Sequence, residues 1–184
     1  FGKKLTLKQI DQNLVDKILK FRSIKNRKFF SLPDSVSGNN YKSKISVVSK
    51  IIKDSGADYL FISAPENVAW ILNIRGSDVP FSPIPNCNCI ITKDKEIYLI
   101  SEKEKISKLI NEKKIRKNQI IVPKELEKFF DNLKENKFII DSKTCSIFKE
   151  KIISRRFNIK SHVDPCYLLK ARKNSTEIKN MIKS

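Results

Sequence analysis

Segments with the period of a helix alternate with short apolar segments along most of this chain, and this alternation constrains its fold more than any other feature. The pattern predicts helices over residues 45–56, 63–73, 102–111 and 143–155, a helix opened by Pro123, and strands over residues 59–62, 88–92, 96–100, 119–122, 138–141, 157–161 and 166–169. Three polar residues join the strands at 88–92 and 96–100, which favours a hairpin. Strands that alternate with helices predict an α/β sheet flanked by helices, and the hairpin makes that sheet mixed.

Capping residues predict where two of these helices begin. Ser63 is expected to cap the helix that follows it, with Glu66 three residues later in a capping box. Asn174 and Glu177 have the same spacing and predict a new helix that Asn174 caps and that continues to residue 184. That helix has about three turns and little of its own to pack against, so we expect it to be the first helix of a further domain.

The first forty residues differ from the rest in pattern. Apolar residues recur at three- and four-residue steps over residues 1–22, which predicts a helix, whereas residues 23–43 lose that period and contain Pro33 and Gly38. We therefore predict a tail helix and linker from a preceding domain (1–40), an α/β domain (41–170) and the start of another domain (171–184). The chain begins at Phe1 rather than Met, and we expect it to be a piece of a longer protein.

A net charge of +18 would favour nucleic acid or an anionic membrane surface as a partner. However, 31 of the 38 basic residues are Lys, spread from Lys3 to Lys183, whereas recognition of bases and phosphates relies more on Arg. No apolar run is long enough to span a bilayer. We interpret the charge as a Lys-rich composition and expect neither nucleic acid nor membrane as partner, with a basic nucleic-acid-binding module kept as an alternative.

Residues that carry catalysis are scarce. His162 is the only histidine, and we interpret it as solvated or structural rather than as part of a nucleophile–base pair. The sequence has no phosphate-binding glycine loop and no set of His, Asp or Glu with the spacing of metal ligands. Cys87 and Cys89 would face one side of a strand, but Cys145 and Cys166 are single and distant, so we expect free thiols and a reducing, cytoplasmic location. By itself the chain is not expected to be an enzyme.

The densest motif is the run Ala-Trp-Ile-Leu-Asn-Ile-Arg-Gly-Ser-Asp at residues 69–78, preceded by a strand and an acidic residue and followed by two X-Pro pairs. This stretch closely resembles the middle domain of three-domain aminopeptidase P, an Xaa-Pro aminopeptidase family related to creatinase. Residues 13–18 resemble the helix that closes the first domain of that family, and residues 168–181 resemble the link into its catalytic domain. Residues 20–22 depart from the family, in which Trp and Arg-Pro often follow that helix, so the first contact between domains is expected to differ.

The resemblance implies a fold similar to the creatinase/prolidase N-terminal domain, with a ribonuclease H-like motif. It also implies a parent metallopeptidase that removes an N-terminal residue when proline is second, using two divalent metal ions, usually manganese. Those ions bind in a pita-bread catalytic domain that would begin near Asn174, so no cofactor or metal site is expected in this part of the protein. The implied partners are proline-containing peptides, the catalytic domain of the parent and a second copy in a homodimer.

The signature itself allows two interpretations. Trp70, Asn73 and Gly76 are expected to be structural, with Trp70 as a core anchor and Gly76 allowing the chain to reverse after the helix. Arg75 and Asp78 either pair across that turn on the surface or line the entrance to the catalytic cleft of the parent. A guanidinium suits the second role because its planar fork holds carbonyl or carboxylate oxygens. The remaining alternative is a stand-alone, non-catalytic interaction domain.

Overall fold

The computed structural model describes Lys8, Ile10, residues 13–18 and residues 27–184. The helices of these residues are α1 (Leu14–Ile18), α2 (Asp34–Ser37), α3 (Tyr41–Asp54), α4 (Pro65–Ile71), α5 (Lys103–Asn111), α6 (Leu126–Asp131), α7 (Ile147–Ser154), α8 (Pro165–Ala171) and α9 (Ser175–Lys183), with short 3₁₀ turns at Lys117–Gln119 and Pro123–Glu125. The strands are β1 (Phe30–Ser31), β2 (Tyr59–Ile62), β3 (Ile74–Arg75), β4 (Asn88–Thr92), β5 (Ile97–Ile100), β6 (Ile120–Ile121), β7 (Lys137–Ile140) and β8 (Asn158–Ser161).

The central sheet has six strands in the order β6-β5-β4-β2-β7-β8. Strand β4 runs antiparallel to both of its neighbours, and the other pairings are parallel. The β4–β5 hairpin closes where the amide of Thr92 donates to the carbonyl of Glu96 at 2.9 Å and Lys95 adopts a left-handed backbone with φ 70°. The predicted mixed α/β sheet flanked by helices is therefore confirmed.

Strand β2 lies inside the sheet and is buried on both faces, as expected for a continuously apolar strand. Leu60 and Ile62 point into one core cluster, which they share with apolar residues of α3, α4 and α5. Tyr59 and Phe61 point into a second cluster on the opposite face, shared with α6 and α7. The two clusters make three layers, with the sheet between two groups of helices.

Residues in the predicted linker contribute to this fold. Phe29 is fully buried, and strand β1 pairs antiparallel with β3 through Phe30 opposite Arg75. Of the helix predicted over residues 1–22, Leu14–Ile18 is helical, Lys8, Ile10 and Asn13 are not, and the other positions lie outside the described residues. The domain boundaries near residues 40 and 170 stay predictions.

Two local predictions are wrong. Ala64, not Ser63, is the N-cap of α4. The Ser63 hydroxyl, just after β2, instead lies 2.6 Å from the hydroxyl of Thr144, which follows the neighbouring strand β7. The segment 166–169, predicted as a strand, lies within helix α8. That helix forms because the carboxylate of Asp164 accepts a hydrogen bond from the amide of Cys166, and Pro165 occupies the first helical position.

The last helix, α9, packs against α2, although the sequence predicted little for it to pack against. The predicted capping box of Asn174 and Glu177 is present, and the Asn174 side chain also donates to the Ser37 carbonyl at 2.9 Å. Gly38 has φ 73°, and a Cβ there would lie 2.3 Å from Asn174 Oδ1, so this contact requires glycine. Ile182 on the far side of α9 is 81% exposed.

In the described part of the chain, no helix combines the length and the apolar character needed to cross a bilayer.

We expect Phe138→Ala to lower the free energy of unfolding by about 3–5 kcal/mol, measured by urea denaturation. Phe138 is fully buried and stacks on Tyr59 at 4.6 Å between ring centroids, with Phe157 at 4.8 Å. The matched control is Phe148→Ala, because Phe148 is 70% exposed and its loss should change stability by about 0.5 kcal/mol or less. Similar losses in both variants would contradict the two-sided core.

Candidate functional site

The signature at residues 69–78 forms the end of α4, a sharp corner and strand β3. The corner lies at Asn73, whose backbone is left-handed with φ 48°. Asn is one of the few residues other than glycine that adopts this conformation readily, and at the end of a helix it stops the helical turn. The chain then leaves in the direction of β3, which carries Arg75.

The side chain of Asn73 is 2% exposed, and both of its polar atoms have partners. Its Oδ1 accepts a hydrogen bond from Lys44 Nζ at 2.7 Å. Its Nδ2 donates to Ser37 Oγ at 2.9 Å and to the Asn39 carbonyl at 2.7 Å. One side-chain amide therefore joins the corner to α3, to the end of α2 and to the loop that follows α2.

The carbonyl of Asn73 makes two further contacts. It accepts from the amide of Leu32 at 2.8 Å and from Lys114 Nζ at 3.0 Å. The first contact holds the segment after β1, and the second holds the segment after α5. The corner is thus fixed by residues that lie between 29 and 41 positions away from Asn73 in the sequence, on both sides of it.

Lys44 is 6% exposed, which is unusual for an ammonium group, and it contacts Trp70 as well as Asn73. Its Nζ donates to the Trp70 carbonyl at 2.9 Å and lies 4.3 Å from the centroid of the Trp70 ring. Burial lowers the pKa of Lys44 from its ordinary value of 10.5 to about 8. Trp70 itself is half-buried and packs against the core cluster of α3, α4 and α5.

Gly76 has a different role from the one predicted. The chain reverses at Asn73, and Gly76 is not among the described glycines with positive φ. A Cβ at Gly76 would instead lie 2.7 Å from the Cα of Pro85 and 3.1 Å from the ring of Phe29. Its amide donates to the Pro83 carbonyl at 3.1 Å. Glycine is therefore required by the close approach of two backbone segments.

The Arg75 guanidinium is half-buried and lies against the end of α4. Its Nη1 donates to the carbonyl of Ala69 at 3.2 Å and to its own neighbour Ile74 at 2.8 Å. These two bonds fix the orientation of the plane, while the hydrogen bonds found among the described residues use neither Nε nor Nη2. Burial lowers the pKa of Arg75, which nevertheless remains a cation because guanidinium is so basic.

The predicted ion pair between Arg75 and Asp78 is wrong. Asp78 pairs with Lys105 of α5, with 2.8 Å between Oδ1 and Nζ, and both side chains are nearly buried at 7% and 8% exposure. The second carboxylate oxygen of Asp78 accepts from the amide of Asn86 at 2.7 Å. Asp78 therefore holds both ends of the loop after β3 to helix α5. Between these ends, Phe81 is fully exposed with a left-handed backbone.

Sequence reasoning missed the lysines that build this site. Lys44 lies four residues before Val48 on the buried side of α3, and that position in the helical period was the available signal. Lys105 has the same signal, four residues before Leu109 on the buried side of α5, whereas Lys114 lies after the end of that helix. Their partners lie 27 and 41 positions away in the sequence.

The other residues singled out from the sequence lie outside this corner. His162 is exposed, with Nδ1 2.8 Å from the Val163 carbonyl. All four cysteines are free and buried, which confirms the prediction of free thiols, and burial raises the pKa of Cys89 to about 12. Within residues 27–184 and the few described before them, no three His, Cys, Asp or Glu side chains come together as metal ligands. These residues do not fit the two-metal centre that the resemblance implies for the parent.

Comparison with known proteins agrees with this fold. The Creatinase/Prolidase N-terminal domain family matches residues 21–177. The chain belongs to this family. An Xaa-Pro aminopeptidase 1 of Dictyostelium discoideum is 29% identical over 182 residues, which cover 92% of this chain and 28% of that protein. The Xaa-Pro aminopeptidase ApepP of Drosophila melanogaster is 31% identical over 163 residues, which cover 85% of this chain and 26% of that protein.

A solved structure shows the same arrangement of elements. The X-prolyl aminopeptidase of Caenorhabditis elegans, described as a cytosolic enzyme with a di-nuclear active site, superposes with a TM-score of 0.76 at 20% identity. The superposition covers 95% of this chain and 30% of that enzyme. The chain thus spans between a quarter and a third of the length of these relatives.

The buried Lys44 predicts a pH dependence of stability. Because its pKa is near 8 in the folded chain and 10.5 when unfolded, the unfolded state binds more protons between these values. The free energy of unfolding of the wild type should therefore rise by about 1–3 kcal/mol relative to Lys44→Met between pH 8 and pH 10.5. Urea denaturation at pH 7.5, 9 and 10.5 measures the difference.

The difference in unfolding free energy between the wild type and Lys44→Met is taken at each pH, because the titration of cysteines and tyrosines contributes equally to both proteins. Lys50→Met, at an exposed position of the same helix, is the matched control. A wild-type advantage over Lys44→Met that stays constant across this range would contradict the buried, desolvated ammonium.

Proposed function

We propose that this chain is the non-catalytic middle domain of a metal-dependent aminopeptidase that releases the N-terminal residue from Xaa-Pro peptides. One observation carries the proposal: the Dictyostelium relative matches 92% of this chain, while the chain accounts for only 28% of that relative. A match of that shape is expected for one domain of a larger enzyme.

The metal ions of the proposed parent then belong to its catalytic domain. The C. elegans enzyme is described as having a di-nuclear active site, which supports two divalent ions, and we propose manganese for both. Such ions supply a Lewis acid and an activated water for peptide hydrolysis when bound. We also propose a cytoplasmic location, because all four thiols are free and the C. elegans enzyme is described as cytosolic.

The contribution of this domain is proposed to be peptide access and contact with its own catalytic domain. Arg75 is the residue that suits peptide binding, because two carbonyls hold one Nη1 while its other donors remain for a ligand. Asp78 supports this role indirectly, since its buried pair with Lys105 fixes the loop that follows Arg75. Association of two parent molecules into a homodimer is proposed from the resemblance.

The test uses the full-length protein loaded with manganese and an Xaa-Pro peptide, with release of the first residue measured. We expect the wild type to act on Xaa-Pro and not on the matching Xaa-Ala peptide, and to lose activity with a chelator. Arg75→Ala should raise KM by about tenfold with little change in kcat, because it removes one charge-assisted hydrogen bond to bound peptide.

Arg155→Ala is the matched control, because it removes the same charge from an exposed position at the end of α7. Thermal unfolding of each variant separates binding from folding. An Arg75→Ala variant that folds and keeps its KM would contradict the proposed binding role. A variant that fails to fold would show that Arg75 is structural. A wild type without Xaa-Pro activity would contradict the proposed function as a whole.

A further inference from the structure

A cleft of about 390 Å³ lies between the start of α3, the β4–β5 turn and the segment after α5. Five of its eleven lining residues are basic, against 38 of 184 in the whole chain, and one is acidic. The lining of this cleft is therefore richer in basic residues than the chain as a whole. We call this the basic cleft, and the residues that define it are Lys42, Lys95, Lys113, Lys114, Arg116 and Tyr41.

Only one of the five cations is neutralised by a carboxylate within the described chain. Arg116 pairs with Glu96, with 2.6 Å between Nη2 and Oε2, and Gln119 donates to the same oxygen at 3.2 Å. Lys42, Lys95 and Lys113 form no ion pair with a described residue. Four ammonium groups thus line one concave surface, and none of them forms an ion pair with a carboxylate of the described residues.

The fourth ammonium is that of Lys114, which is less exposed than Lys42, Lys95 and Lys113. It donates to the Asn73 carbonyl at 3.0 Å and lies 4.9 Å from the centroid of the Tyr41 ring. Both contacts are with neutral groups, and burial lowers the pKa of Lys114 to about 8. An anion in the cleft would compensate this desolvated charge.

Three of the lysines that line the basic cleft occupy positions that are unfavourable for the stability of the fold. Lys42 is in the first turn of α3, which has no acidic residue there, so a cation lies at the positive end of the helix dipole. Lys95 and Lys113 have φ 70° and 54°, a conformation that favours glycine or asparagine over lysine. Unfavourable features of this kind cluster where a ligand is bound.

We propose that the basic cleft binds a small polyanion that carries two or more linked phosphate groups. Lysine recognises phosphate as a point charge and needs no fixed fork geometry. Several separate ammonium groups around one cleft match a ligand with several phosphates better than they match a single phosphate. The basic cleft adjoins the Asn73 corner through Lys114 but does not include Arg75. The proposal does not depend on the peptidase function.

The test is isothermal titration of the metal-free 184-residue chain with sodium tripolyphosphate at low ionic strength. We expect one site per chain, with an affinity that falls steeply when salt is raised. Lys95→Gln together with Lys113→Gln should weaken binding by roughly tenfold, as expected for the loss of two exposed ion pairs. Both residues are exposed, so the fold should be retained.

Lys128→Gln together with Lys151→Gln is the matched control, because it removes two exposed charges from α6 and α7 on the other side of the sheet. This control should change the affinity by about twofold or less, since charges beyond a Debye length are screened. Equal loss in both double variants would show a diffuse charge effect and overturn the site. The proposal also fails if tripolyphosphate does not bind, or if orthophosphate, hexaglutamate or a short oligonucleotide binds as tightly through the same lysines.

Discussion

The buried amide of Asn73 is the contact on which the arrangement of the signature depends. It accepts from the Lys44 ammonium and donates to Ser37 and Asn39, while its own backbone takes the left-handed turn that ends α4. Loss of this amide would leave a buried ammonium with one partner fewer, and such groups are costly when unpaired. The direction in which the chain enters β3, and so the place of Arg75, follows from this network.

The loop after Arg75 is fixed by two further constraints of different kinds. Gly76 allows Pro85 to approach to a distance that any side chain would prevent, and the buried pair of Asp78 with Lys105 ties the loop to α5. A half-buried guanidinium on a rigid corner is suited to orienting a ligand, and it offers no acid, base or nucleophile. The chemistry of the domain is therefore consistent with binding and packing, while the sheet supplies the stability.

Much of the fold was predictable because its signals are local. The apolar run at Tyr59–Ile62 identifies a strand buried on both faces, and the short polar turn after Thr92 identifies the hairpin that makes the sheet mixed. Helix α8 was mistaken for a strand because the apolar residues after Pro165 outweighed the capping signal of Asp164 in a short segment. In such short runs the hydrophobic pattern alone does not distinguish helix from strand.

The site was less predictable, because its partners are distant in the sequence. Nothing near Asp78 identifies Lys105 as its partner, and an ion pair with the adjacent Arg75 was the simplest local choice. The role of Gly76 likewise depends on Pro85, which reaches it only in the folded chain. The basic cleft joins residues from three separate segments, and the even spread of lysine along the sequence concealed it.

If this chain is one domain of a larger peptidase, the natural polypeptide is much heavier than the chain. The chain has a mass of 21.3 kDa and spans 28% of the Dictyostelium relative and 26% of the Drosophila one. Mass spectrometry of the protein purified from its source should therefore give a polypeptide between three and four times as heavy. A natural polypeptide of about the mass of the present chain would contradict the account.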